Sequence, residues 1–178
     1  MTCKFNSLLL WILFFGGIVS CCDDDERSGN SFVSITLNDN TEWLDDGNIV
    51  ADFFHDDFVN ISFGSLRNEG ILRDALQFKN VFFEENVYEV RDSDFNNIPD
   101  KNFTRVNYTT FKGDGHLVGS YYAIDTSFNN YLEILEITNN EISGTFELQF
   151  IKDSNNEFNS QGDPDTIKMS EATFLVEY

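Results

Sequence analysis

Basic residues are scarce in this chain: 11 Lys plus Arg stand against 31 Asp plus Glu, a formal net charge of −20. A nucleic-acid binder neutralises phosphates with a basic face, and adsorption to anionic lipid needs a polybasic segment. The charge balance excludes both classes. Proline and glycine, at 2 and 11 residues, are too few for a collagenous or low-complexity chain. The three cysteines are Cys3, Cys21 and Cys22. Beyond Cys22 the chain has neither a disulfide framework nor zinc-type cysteine spacing, so its core must hold it together. Histidine occurs only as His55 and His116. Aromatics are the opposite case. Nineteen Phe and 15% aromatic content set the chain apart from disordered acidic segments, which lack such residues. Its 178 residues match the length of about one domain.

Hydrophobic runs are also short. Leu8-Leu9-Leu10-Trp11-Ile12-Leu13-Phe14-Phe15 is the main one, and at about 1.5 Å rise per residue it cannot cross a hydrocarbon core of about 30 Å. With Lys4 ahead of it, residues 1–20 read as a signal peptide rather than a spanning helix. Ile18-Val19-Ser20-Cys21 resembles a bacterial lipobox. The resemblance implies cleavage before Cys21 and a diacylglyceryl thioether on that residue. An ordinary secretory cleavage site, or a box ending one residue later at Cys22, are the alternatives. Removal of residues 1–20 takes Lys4 away and leaves ten basic residues against 31 acids, a net −21. One acyl chain gives only marginal membrane binding, at about 0.8 kcal/mol per buried CH₂, whereas two or more anchor stably. A bacterial lipoprotein normally carries three, so the membrane partner is reached through this anchor.

Residues 21–31 form the acylated Cys and a polar tether. Its acids Asp23, Asp24, Asp25 and Glu26 serve as a solvated spacer on one reading. On the sharper reading, an acidic cluster directly behind the acylated Cys resembles the export signal of surface lipoproteins in Bacteroidetes-type bacteria. The expected location is the outer membrane, lipid-anchored and facing outward, with the periplasmic face as the alternative.

Residues 32–178 read as a single β-rich domain. Hydrophobic residues recur with period two, the mark of half-buried strands. Val33, Ile35 and Leu37 alternate with polar residues, as do Val59, Ile61 and Phe63. Ile142, Gly144, Phe146, Leu148 and Phe150 make the clearest set, and Phe174, Val176 and Tyr178 form the last. Further strands are expected over 48–54, 75–82, 103–111, 118–124 and 131–138, with one short helical turn possible over Ile71–Leu76. Asn139-Asn140 suits a two-residue type I′ turn. Val118 to Ile151 then reads as a three-strand meander, closed by the C-terminal strand. The expected fold is all-β, an antiparallel β-sandwich or small β-barrel of about nine strands.

Together the lipobox, the acidic stretch, Ile35-Thr36-Leu37-Asn38 followed by Trp43, Ile142-Ser143-Gly144-Thr145-Phe146-Glu147-Leu148, and the closing Ala172-Thr173-Phe174-Leu175-Val176 resemble a family of small Bacteroidetes lipoproteins. That family is built on a β-rich domain of unknown function, and Asp39 here stands where it usually has Gly. The resemblance implies location and fold and brings no activity.

Chemistry-bearing patterns are thin. His55 beside Asp56 and Asp57 reads as a solvated strand connection, and His116 after Gly113-Asp114-Gly115 as a hairpin turn. Gly64-Ser65 and Gly119-Ser120 lack the nucleophile-elbow pattern. No catalytic residues are nominated. Calcium is the more serious metal candidate, through Asp153, Asn155 and Glu157, because it takes carboxylate and carbonyl oxygens. Phe158 and Pro164, however, stand where the EF-hand pattern needs Gly and Glu. Trp43 and Tyr121 are candidate platforms for a ligand, since rings stack on apolar faces and still offer a polar tip; for Trp43 a core plug or edge cover is the plainer role. Tyr121 and its neighbour Tyr122 must face opposite sides of a strand.

The expected function is a non-enzymatic binding or accessory domain, with a glycan or an envelope protein as partner and no nucleic acid. An envelope assembly component and a carboxylate-dependent hydrolase are the other classes. Protease treatment of intact cells tests the export reading: cleavage of the domain is expected with Asp23–Glu26 in place and lost when all four are Ala. Protection in both cases would put the domain in the periplasm.

Overall fold

The computed structural model describes residues 30–38, 41–45, 49–55, 57–66, 71–93, 98–112, 117–154, 159 and 162–178. Residues 1–20, read above as a signal peptide, and residues 21–29 of the expected tether lie outside them. Among the described residues there are eleven strands and no helix, and hence no helix long and apolar enough to cross a membrane. The strands are β1 (Phe32–Leu37), β2 (Thr41–Asp45), β3 (Ile49–His55), β4 (Phe58–Leu66), β5 (Leu72–Phe82), β6 (Asn86–Asp92), β7 (Phe103–Lys112), β8 (Leu117–Ile124), β9 (Tyr131–Ile137), β10 (Glu141–Lys152) and β11 (Thr166–Glu177).

The all-β expectation holds, with two strands more than the alternation pattern gave. β2 and β6 are the additions. β6 buries only Tyr88 and Val90 between exposed Val87, Glu89 and Arg91, too short an apolar set to stand out in sequence. Leu72 to Leu76 is strand rather than helix: Asp74 and Leu76 turn inward while the backbone pairs with β4 and β7. His55 is the last residue of β3, opposite Phe58, rather than part of a connection. Residues 113–116, with His116, lie outside the described residues.

One sheet runs β2-β1-β11-β10-β9-β6-β7-β5-β4-β3, with β8 bridging β10 and β7. All pairings are antiparallel except β6 with β7. The sheet curls so that β4 and β5 face β10 and β11 across a cluster of rings. Phe63 lies 6.0 Å from Phe146 and 5.5 Å from Phe174, and Phe78 lies 5.2 Å edge-on to Phe146. Such pairs contribute about 0.5–1.5 kcal/mol each beyond their burial. Bulges supply curvature. Asn80 has φ 56° where the β4–β5 register slips, and its N–H donates to Asn60 Oδ1 at 3.0 Å. Glu171, with φ 52°, sits where β11 slips against β10.

Two finer expectations are corrected. Positive φ at described non-glycine positions is confined to Asn38, Asn80 and Glu171, so the Asn139-Asn140 turn is not type I′. Thr138 holds it instead, its Oγ1 accepting from Glu141 N–H at 3.1 Å while Thr138 N–H donates to the Glu141 carbonyl at 2.9 Å. Nor do β8, β9 and β10 form a meander: β9 lies between β10 and β6, and β8 pairs with β10 and β7. The reason is length. Twelve residues of β10 extend about 40 Å, enough for two short strands end to end along one edge.

Gly144 shows how tightly β10 sits between its paired neighbours β9 and β11. A Cβ there would lie 2.2 Å from the Glu133 carbonyl oxygen and 2.7 Å from the Phe174 ring. Gly144→Ala is expected to cost about 1–3 kcal/mol, towards the upper end because the nearest atom is backbone. A fall in the urea midpoint with an unchanged slope checks it.

Candidate functional site

The sheet forks where β10 and β7 each give one edge to two strands. β9 covers residues 142–147 of β10 and β8 covers 150–152. On β7, β6 covers 103–106, and β8 pairs from Tyr108 onward. A fork strands backbone groups between ladders, and each one buried without a partner would cost about 1–3 kcal/mol. The loop from Asp125 to Asn130 supplies the partners. Asn130 Oδ1 accepts from Gln149 N–H at 2.7 Å, and Asp125 N–H donates to the Gln149 carbonyl at 2.7 Å. Asn130 Nδ2 donates to the carbonyls of Asp125 and Phe128 at 2.7 and 3.0 Å, and the Asn130 carbonyl accepts from Val90 N–H at 3.2 Å. The Asp125 carboxylate accepts from Ser127 Oγ at 2.6 Å, Ser127 N–H at 2.9 Å and Gln149 Nε2 at 2.6 Å. From β6, Asp92 Oδ1 accepts the N–H of Ile124 at 2.6 Å.

Over this fork lie two adjoining cavities of about 500 and 360 Å³, within the size range of small-molecule sites. Both are lined by Glu89, Asn129 and Asn130. Phe128 and Ile124 wall the larger with Arg91 and Asp92; Tyr131, Val87 and Glu133 wall the smaller. Arg91 grips Glu89 through two bonds of 2.9 Å and lies 4.2 Å over the Phe103 ring. The Arg91 hydrogen bond holds the Glu89 carboxyl below its ordinary range; both side chains are exposed, so the pair contributes little to stability. Burial pushes the Tyr131 phenol up, with Glu147 and Glu133 adding to it. The groove thus offers carboxylate acceptors, guanidinium and carboxamide donors, and two rings. A sugar hydroxyl both donates and accepts, and a pyranose presents C–H faces to rings, so the set suits a polyol.

A second polar cluster lies between β7, β8 and the loop before β11. Asp163 Oδ2 accepts from Ser120 Oγ at 2.6 Å and Thr110 Oγ1 at 3.0 Å. Tyr122 donates to the Pro164 carbonyl at 2.9 Å. Lys152 Nζ bonds the Asp163 carbonyl and lies 3.3 Å from Asp165. Burial drives the phenols of Tyr108 and Tyr122 well above the ordinary tyrosine value, with nearby aspartates adding to it. Both stay protonated at neutral pH and act as donors, so the cluster clamps the loop.

Of the residues nominated from sequence, Trp43, Tyr121 and Asp153 are described, and Trp43 lies apart from the other two. Cys21 and Asp23, Asp24, Asp25 and Glu26 lie outside the described residues, as do Asn155 and Glu157. Asp153 donates its N–H to the Tyr121 carbonyl at 2.9 Å. Among the described residues no three His, Cys, Asp or Glu gather in a metal-holding group. Tyr121 is 41% exposed and Tyr122 is buried, as strand alternation requires. Trp43 lies on the end strand β2, with β1, β11 and β10 between it and the strand of Tyr121. Sequence reasoning missed the groove because β6 is weakly patterned. The one available signal was Asp125-Thr126-Ser127, an aspartate whose side chain takes the N–H two residues on. Comparison with protein-family models, curated proteins and solved structures found no match.

Hydrogen bonds from Ser127, then Gln149, hold the Asp125 carboxyl below its ordinary value. Its stabilising contribution is therefore present above the unfolded-state pKa and lost as pH falls through the lower folded one. Asp125→Asn is expected to lower Tm at neutral pH and to show a shallower acid decline than the parent. Parallel Tm–pH curves for the two would remove Asp125 as the anchor of the fork.

Proposed function

We propose that this chain is a lipid-anchored outer-membrane protein, displayed at the cell surface, whose β-domain binds a glycan without turning it over. The single observation that carries the reading is the pair of adjoining cavities at the fork, one lined by Phe128 with Arg91 and Asp92, the other by Tyr131 with Glu133, and both by Glu89 and Asn129. The lipobox at Cys21, the acids Asp23–Glu26 and the resemblance to small Bacteroidetes surface lipoproteins support the location. The floor of the cavities is tied to β10 by the side chains of Asn130 and Asp125, which both bond Gln149. A pre-formed site spends little binding energy on ordering.

Titration of the full chain, held in neutral detergent, with neutral oligosaccharides tests this. Phe128→Ala is expected to weaken binding at least about tenfold, or roughly 1.4 kcal/mol, with little change in Tm. Tyr121→Ala, on the strand across the fork, should bind like the parent. Loss through Tyr121 and not through Phe128 would move the site to the exposed face of β8. Turnover of the same sugars would make the chain a hydrolase instead.

A further inference from the structure

Of the two prolines, only Pro164 follows an aspartate, Asp163. An aspartate carboxylate can attack its own backbone carbonyl carbon, because Oδ1, Cγ, Cβ, Cα and that carbon close an unstrained five-membered ring, and a ring closure needs no encounter. The nitrogen of an X–Pro bond is a tertiary amide, and it departs as a basic secondary amine. The fold holds this bond on both sides. Lys152 Nζ donates to the Asp163 carbonyl, Tyr122 Oη to the Pro164 carbonyl at 2.9 Å, and Lys152 N–H to the Asp165 carbonyl at 2.8 Å. The Asp163 carboxylate is fixed through one oxygen. Its Oδ2 accepts from Ser120 Oγ at 2.6 Å and Thr110 Oγ1 at 3.0 Å, and Ser120 N–H in turn holds Thr110 Oγ1 at 2.8 Å. The Lys152 side chain is 13% exposed, so its charge reaches the Asp163 carbonyl with little screening; Asp165, 3.3 Å from it, is 97% exposed. Solvent meets the bond from the other side: Pro164 is exposed, and a Cβ at Gly162 would have no atom within 4 Å.

We infer that the chain cuts itself between Asp163 and Pro164. Oδ1 of Asp163 adds to the Asp163 carbonyl carbon, a carboxylate acting as nucleophile, and the carbonyl oxygen takes up the negative charge. Lys152 is the catalytic residue: the bond it already makes to that oxygen stabilises the oxyanion. The C–N bond then breaks with its electron pair on the Pro164 nitrogen, which takes a proton from solvent, and a cyclic anhydride is left on Asp163. Water opens the anhydride to two carboxylates and two protons, and the free amine takes up a further proton. The net change is hydrolysis of one peptide bond by one water. All of β11 lies beyond the cut and stays paired with β10 and β1, so the two pieces part only on unfolding. The cluster shares no residue with the cavities at the fork, and cleavage is independent of glycan binding.

The test is a time course of the full chain in neutral detergent at about pH 5, where protons for the leaving amine are in good supply, with masses read after denaturation. Fragments 1–163 and 164–178 are expected to accumulate at a rate independent of protein concentration. The rate should exceed that of the same chain unfolded in urea by at least about tenfold, since the contact to the oxyanion exists only in the fold. The unfolded chain supplies the background lability of any aspartyl-prolyl bond. Lys152→Met should fall to about that background, Lys152→Arg should keep most of the parent rate, and Asp163→Asn should stay whole. Folded against unfolded parent decides the outcome even where Lys152→Met loosens the loop. No cut in the folded chain, a cut no faster than in urea, or a parent rate in Lys152→Met would each overturn the inference.

Discussion

The structure depends on the way one long strand shares its edge. β10 pairs with β11 on one side and divides the other between β9 and β8. At the division the backbone amide and carbonyl of Gln149 would both lack a ladder partner. Asn130 and Asp125 replace the missing strand, one with a side-chain oxygen and the other with its own N–H. Because such groups are costly when buried unpaired, the loop they lie on is tied to the fork. The Asn130 carbonyl also takes the Val90 N–H, so the tie reaches β6, and the cavities lie above it.

Asp92 and Asp125 show two carboxylates used in opposite electrostatic settings. Burial pushes the Asp92 carboxyl up against the pull of the Ile124 N–H, whereas hydrogen bonds from Ser127 and Gln149 bring Asp125 down. Asp92 thus gives away stability as it ionises, and Asp125 gains it. The large acid surplus repels anionic surfaces.

Much of the fold was legible because alternation is a strong signal when a strand has a buried face. Ile142, Gly144, Phe146, Leu148 and Phe150 all turn inward, as their spacing requires. Val33 and Ile35 do the same. Legibility failed where a strand is short of apolar residues, as in β6, and where turn residues have two ways to close, as at Asn139-Asn140. It failed also for pairing order. Neighbours in sequence are usually neighbours in a sheet, yet β8 and β9 are kept apart by the loop that fills the fork.

By itself the sequence determined the all-β class, the faces of most strands and the acidic character, because each depends on local pattern or on counts. Only the tertiary structure decided that Asp125, Asn130 and Gln149 meet, that Phe128 and Tyr131 line two adjoining cavities that share Glu89, and that Lys79, Arg105 and Arg91 stand in one row. These are contacts between residues far apart in the chain or on separate strands. Register and strand order set them, and both arise from how the whole sheet satisfies its backbone rather than from any short stretch of residues.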